Sequence, residues 1–164
     1  MAATGETAGS RRGPAIGEVY DRDRDALARM AAFVTGDVEA AVDLVQDAFA
    51  DLQQSWNTVE DPQAWLRSAV AKRSVSWVRR RIVARKYLHT YGQSTDEVRS
   101  VDSAGRLVVR DAVAELTPDR RVVVFCRFYL DLSEAQTAAM LGIPVGTVKS
   151  RLSRALHELE GALS

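Results

Sequence analysis

Residues 132–160 read LSEAQTAAMLGIPVGTVKSRLSRALHELE, and this stretch decides the fold. Ser133 followed three positions later by Gln136 has the form of a capping box, in which hydroxyl and amide satisfy backbone N–H groups at a helix start. Ala135, Ala139 and Met140 supply an inner face. Gly142 ends the helix, because glycine adopts the left-handed conformation of a helix C-terminus without a Cβ penalty. A second helix starts near Pro144 and turns Val148, Leu152, Leu156 and Leu159 inward at helical spacing. Two helices joined by a turn of about four residues containing glycine form a helix-turn-helix. Its second helix enters the major groove and presents N-terminal side chains to base edges. Here those positions are Thr147, Lys149, Ser150, Arg151, Ser153 and Arg154, all able to meet phosphates or base acceptors, and no acid occurs from Ala135 to His157. Helical hairpins of similar outline occur in bundles with no DNA role, but they do not call for an acid-free, Ser/Arg-rich exposed face.

Upstream, Val109, Ala112, Val113 and Leu116 start a helical face that Thr117-Pro118 punctuates, and Val122, Phe125, Cys126, Tyr129 and Leu130 form the next. Cys126 lies inside that stripe, which makes it a core residue and not a reactive thiol. Before these helices, HTYGQSTDEVRSVDSAGR at 89–106 has almost no periodic apolar residues and several turn formers, the composition of a flexible linker. Further towards the N-terminus, Leu27, Met30, Ala31 and Val34 recur at helical spacing and Gly36 follows as a C-cap. Val38, Ala41, Val42, Val45, Ala48, Phe49 and Leu52 continue the period over four turns, with Asp37 placed as N-cap. After a break at 57–62, Leu66, Ala69, Val70 and Trp77 lie along one side of a third helix, which Asp61 can cap and Pro62 can open. Trp65 and Trp77 have rings able to stack on bases, but at helical spacing beside Leu66 and Val70 the core reading is favoured for both. No strand signal survives, Val122-Val123-Val124 being short and helical in pattern. The expected fold is all-α in two lobes: a disordered tail over 1–15, a first lobe over 16–88, the linker over 89–106 and a second lobe over 107–164.

The 164 residues are 46% apolar with 22 Lys plus Arg against 22 Asp plus Glu, a composition that folds. One Cys and two His, at 89 and 157, exclude a disulfide framework and leave no metal-ligand set. No apolar run approaches the roughly 18 residues of a membrane span, and the start of the chain lacks the apolar stretch of a signal peptide, so a cytoplasmic location is expected. The zero net charge hides a segregation. From Met30 to Asp61 there is no base, and Asp37, Glu39, Asp43, Asp47, Asp51, Glu60 and Asp61 give minus seven. From Pro62 to Thr95 there is no acid, and Arg67, Lys72, Arg73, Arg79, Arg80, Arg81, Arg85 and Lys86 give plus eight. Surfaces that are merely solvated mix their signs, so these segments imply one face for a basic partner and one for a polyanion. Asp43, Asp47 and Asp51 lie at i, i+4 and i+8 opposite the apolar face, with Gln46 beside them. Lys72, Ser76, Arg79 and Arg80 share a face of the third helix, with Arg73 alongside.

Three motifs in order, DLVQDAFADLQQSW at 43–56, DPQAWLRSAVAKRSVSWVRRR at 61–81 and LSEAQTAAMLGIPVGTVKSRLSRAL at 132–156, resemble the extracytoplasmic-function (ECF) class of bacterial RNA polymerase sigma factors, of the actinobacterial sigma-E-like type. The resemblance runs from Val19 to Leu163. It implies that the lobes are sigma domains 2 and 4 and that the chain gives RNA polymerase its promoter specificity. It further implies, as partners, the polymerase core through its β′ clamp helices and β flap, promoter DNA and an anti-sigma factor, and it implies no cofactor and no catalytic residue. Carried over residue by residue, Asp43, Gln46, Asp47 and Asp51 face the clamp helices, Asp47 standing where the family more often has Glu. Asn57, Arg67, Lys72, Arg73, Ser76, Arg79 and Arg80 serve the minus-ten element, Lys72 standing where many members have Asn. The loop over 57–64 would capture a base flipped from the non-template strand, which offsets unstacking and needs no ATP, in keeping with the absence of a P-loop sequence. Thr147, Lys149, Ser150, Ser153 and Arg154 face the minus-thirty-five element and Arg151 a phosphate, Ser153 replacing a bulkier family residue. The rival class, a stand-alone helix-turn-helix regulator, leaves the acidic stripe without a purpose. An enzyme would need a nucleophile elbow, an HExxH, a phosphate loop or a CxxC, none of which occurs.

Overall fold

The computed structural model describes residues 15–90 and 104–164, and these are all-α. The first lobe comprises α1 (Ile16–Thr35), α2 (Val38–Gln54) and α3 (Pro62–Thr90); the second comprises α4 (Ala104–Glu115), α5 (Pro118–Phe128), α6 (Glu134–Leu141) and α7 (Val145–Leu163). The tail expected over 1–15 lies outside the described residues except for Ala15, as do residues 91–103 of the expected linker. The two ends of that linker are helical: α3 runs through His89 and Thr90, and α4 begins at Ala104.

Local chemistry accounts for the helix ends. Gly36 and Gly142 have φ of +71° and +66°, the left-handed region in which a Cβ would be strained. Asp37 accepts a hydrogen bond from the Ala40 N–H at 3.0 Å and Asp61 one from the Ala64 N–H at 3.0 Å. Ser133 and Gln136 form the expected reciprocal box, at 3.1 Å from the Gln136 N–H to the hydroxyl and 2.8 Å from the Ser133 N–H to the amide oxygen.

α1 is the central element, packed on both α2 and α3 through Leu27, Met30, Ala31 and Val34. On α2 the buried stripe is Ala41, Leu44, Val45, Ala48, Phe49 and Leu52. Val38 and Val42, expected in that stripe, are exposed instead: Val38 sits in the first turn and Val42 a third of a turn off the stripe. On α6 the expected inner face is corrected by one residue. Thr137, Ala138 and Leu141 are buried while Ala135 and Ala139 face solvent and Met140 is half-buried, because the inward stripe includes the methyl of a threonine. On α7, Val148 and Ala155 are buried, Leu152 and Leu159 are half-buried and Leu156 is exposed; the small Ala155 packs in a cluster with Leu116 and Val124. Val109 and Tyr129 are likewise exposed, Tyr129 stacking on buried Phe125 at 4.8 Å between ring centroids. Trp65 packs half-buried on the core, whereas Trp77 carries the Arg81 guanidinium over its ring at 4.9 Å.

The two lobes pack on each other, α5 against α1 and α3, and α6 against α3. Phe33 of α1 meets Phe125 at 5.2 Å and Tyr129 at 5.6 Å. Arg121 donates from Nη1 to the Val34 carbonyl at 2.8 Å, from Nη2 to Ala114 at 2.7 Å and from Nε to Leu116 at 2.9 Å, tying the end of α1 to the end of α4. Burial of this guanidinium lowers its pKa from the usual arginine range, the charge of Glu115 opposing that shift. Its charge is met by the carbonyl ends of two helix dipoles.

Candidate nucleic-acid interface

The acidic residues Asp43 and Asp47, with the neutral Gln46 beside them, project from the exposed side of α2. No ion pair forms at Asp43 or Asp47 among the described residues, whereas Asp51 is paired with Arg73 of α3. The acidic face is therefore available at its first two carboxylates and spent internally at its third. Exposed Val38 and Val42 run beside it at i and i+4, ending at Gln46 one turn on, so the face is partly apolar. The apolar period identified these valines as core, and only the packing of α2 corrects that.

The loop between α2 and α3 turns through hydrogen bonds from Thr58 and Val59 to the Ser55 carbonyl at 2.9 and 3.1 Å. Asn57 is exposed at its tip. Behind it, buried Asp23 of α1 accepts from Gln63 Nε2 at 2.9 Å and from Arg22 Nη2 at 2.7 Å. Burial raises the Asp23 pKa, but the hydrogen bonds from Arg22 and Gln63 and the charges of Arg22 and Arg67 outweigh it and hold the carboxyl below the usual range. Asp23 thus fixes the entry to α3, a positioning role that sequence reasoning missed. Its signal was a lone acid on the stripe Val19, Asp23, Leu27, at i, i+4 and i+8. A small cleft between α1 and the start of α3 is lined by Asp23, Gln63 and Arg67 and closed by Leu130 of the second lobe.

Along α3 the expected cations diverge. Lys72 and Arg79 reach residues of the second lobe, Ser76 is half-buried, Arg73 turns to Asp51, and Arg80 is exposed. The Lys72 ammonium lies over Gly142, 3.5 Å from where a Cβ would stand, at the carbonyl end of α6. Arg79 Nη2 donates to both Asp119 oxygens, at 2.7 and 2.6 Å.

On α7 Lys149, Ser150, Ser153 and Arg154 are exposed and Thr147 and Arg151 are half-buried. Ser150 donates to the Thr147 carbonyl at 3.1 Å, which leaves its oxygen lone pairs outward. Lys149 lies 3.7 Å from Glu134 and Arg151 Nη1 3.0 Å from Asp119. No ion pair forms at Arg154 among the described residues. Asp119 thus holds one arginine from each lobe, a second role that sequence reasoning missed, since position 119 reads there as an ordinary first-turn acid. Among the described residues no group of His, Cys, Asp and Glu could hold a metal, and no helix is long and apolar enough to cross a membrane.

Residues 106–159 match the family model for sigma-70, region 4. The chain is 35% identical over 150 residues to the RNA polymerase sigma-E factor of Streptomyces coelicolor, covering 89% of this chain and 85% of that one. It is 35% identical over 153 residues to the ECF RNA polymerase sigma factor SigL of Mycobacterium tuberculosis, covering 86% and 84%. Among solved structures it is similar to the sigma factor RpoE of Bartonella quintana, crystallised with the anti-sigma factor NepR, at a TM-score of 0.72 and 25% identity over 90% of this chain and 95% of that one.

Proposed function

Because the chain belongs to the extracytoplasmic-function family of bacterial RNA polymerase sigma factors, we propose that its three charged faces divide the work of initiation in chain order. The protein is a sigma factor: it acts with RNA polymerase core and promoter DNA. In our reading the first lobe is sigma domain 2 and the second sigma domain 4. Asp43, Gln46 and Asp47, with Val38 and Val42, dock on a basic and partly apolar surface of core, the family's β′ clamp helices, and the second lobe meets the β flap. The loop at 57–64 with Arg67, Lys72, Ser76, Arg79 and Arg80 takes the melted minus-ten strand, and Arg73, paired with Asp51, holds α3 to α2 beside it. Thr147, Lys149, Ser150, Ser153 and Arg154 read the minus-thirty-five duplex while Arg151 holds a phosphate. The protein would work in the cytoplasm, carry no catalytic residue or cofactor, and be held in reserve by an anti-sigma factor.

The observation that carries this reading is the exposed, unpaired acidic face at Asp43 and Asp47. A stand-alone DNA-binding regulator has no use for it, while a subunit that must find a large basic partner does. Reconstitution tests it: the purified chain added to core should co-elute with core and support runoff transcription from a genomic library. Specific duplex binding without core, together with no co-elution, would instead favour the regulator.

A further inference from the structure

We propose that Asp23 is a positioning residue for strand capture: its hydrogen bond with Gln63 sets the shape in which the loop at 57–64 receives the flipped base. The inference rests on the reading of that loop as the base-capturing element. The loop is held at two ends. At one, Thr58 and Val59 bond back to the Ser55 carbonyl, and the Val59 side chain is buried in the core. At the other, Gln63 in the first turn of α3 donates from Nε2 to Asp23 Oδ1 of α1 at 2.9 Å. Asn57, Glu60 and Asp61 stand exposed in the loop so held. A pocket for one base must have its shape before the base arrives, because ordering the loop at that moment subtracts from binding.

Position 23 belongs to the buried stripe Val19, Asp23, Leu27, where an apolar side chain would serve packing. An acid there gives up hydration and must recover it from donors. Asp23 finds them in Gln63 and in Arg22, whose Nη2 and Nε approach Oδ2 at 2.7 and 3.2 Å. Arg67, one turn beyond Gln63, adds its charge. The Arg22 guanidinium, held chiefly by Asp23, also feels the charge of Asp61, the N-cap of α3. Replacing a buried ion pair by packed apolar side chains is often neutral or stabilising, so a leucine could stand in for this acid as far as stability goes. What a leucine could not supply is a fixed position for Gln63, 40 residues away in sequence. The plainer role, a tie between α1 and α3, is already filled by Leu27, Met30, Leu66 and Val70 in their shared core.

Wild type, Asp23→Leu and Asp23→Asn are compared in holoenzyme. The probes are fluorescein-labelled non-template strands carrying the minus-ten element of a promoter recovered by runoff, intact or with one abasic site stepped through the element. Wild type should lose about fivefold or more at one position, that of the captured base. Asp23→Leu removes the acceptor for Gln63, and the cleft beside it leaves room for the larger side chain. It should bind the intact strand as weakly as wild type binds that abasic strand, and the abasic site should cost it less than about twofold. Asp23→Asn keeps an oxygen for Gln63 and should retain most of the abasic penalty. Core affinity and binding to the minus-thirty-five duplex should be the same for all three. An undiminished penalty in Asp23→Leu overturns the positioning role. So does a loss of affinity spread evenly over strand, duplex and core, which would be a structural effect only. Asp23→Asn as weak as Asp23→Leu would assign the effect to the charge and overturn the hydrogen-bond account. No penalty at any position in wild type would end the reading of the loop itself, and the proposal with it. Should Asp23→Leu prove unfolded by circular dichroism, Asp23→Ala, which frees Gln63 without adding bulk, decides in its place.

Discussion

Reversing Asp43 and Asp47 to lysine separates docking from folding more cleanly than any other change to this surface. Both side chains are exposed on α2 and neither has an ion pair among the described residues. Substitution at such sites shifts stability by about 0.5 kcal/mol or less each, so helicity should be unchanged and the melting temperature should move by no more than about 4 °C. Against a basic partner the arithmetic differs. Each carboxylate that forms a charge-assisted hydrogen bond contributes about 1.5–3 kcal/mol, so losing two costs about 3–6 kcal/mol before any repulsion is counted. That corresponds to a fall in affinity for core of roughly 10²- to 10⁴-fold. Fluorescence anisotropy of labelled chain titrated with core at near-physiological salt would read it, as screening there is already substantial. Asp51→Lys is the internal comparison: because Asp51 is engaged by Arg73, its reversal should lower the melting temperature and cost less core affinity. Wild-type affinity in the Asp43, Asp47 double variant would refute the docking face, and a melted variant would refute the statement that these side chains are dispensable for folding.

Other outcomes follow from single contacts. Gly142→Ala, forced into a left-handed φ, should cost about 1 kcal/mol and lower the melting temperature by about 2–4 °C. Thr137→Val should raise stability by about 1 kcal/mol, because the buried hydroxyl has no hydrogen-bond partner; a denaturant midpoint that falls would contradict this. Burial pushes the Cys126 thiol up to about 12, so iodoacetamide at mildly alkaline pH should label the native chain far more slowly than the unfolded one. The Asp23 carboxyl sits below its ordinary range when folded, so its contribution is present above about pH 4 and is lost as the pH falls through the folded value; Asp23→Asn should flatten the acid limb of the stability curve. In holoenzyme, Arg154→Ala should cost roughly 1–3 kcal/mol at one minus-thirty-five base position, while Arg151→Ala should weaken all variants alike and reduce the salt slope by about one unit.

The helix boundaries were legible because their chemistry is local. Asp37, Asp61, Ser133 with Gln136, Gly36 and Gly142 each act within a few residues, and each stands in the structure where its sequence neighbours place it. Faces were less legible where small residues blur the period. With alanines at 135, 138 and 139, α6 fits two inward registers, and the one adopted includes Thr137, which an apolar pattern does not count. The exposed candidates Asp43, Asp47, Ser153 and Arg154 could be placed from helical phase alone. What periodicity could not supply was the seam between lobes. Arg121 and Val34 are 87 positions apart, and Arg79 and Asp119 are 40 apart. Periodicity within one helix carries no information about a second body, so neither Asp119 nor Arg121 stood out.

The 29-residue α3 is a rod about 43 Å long at 1.5 Å per residue, and its surface from Ile82 to Tyr87 is exposed. The chain therefore leaves the first lobe at the tip of a lever and not from its body. From Thr90 to Ala104 the backbone has fourteen steps, which covalent geometry limits to about 50 Å end to end. On the proposed reading, in which each lobe grips one DNA element, the rod and this covalent limit together act as a caliper that sets the widest separation one molecule can span. Lengthening or shortening the stretch between α3 and α4 would then retune which spacings are read, without altering a single side chain that touches a base.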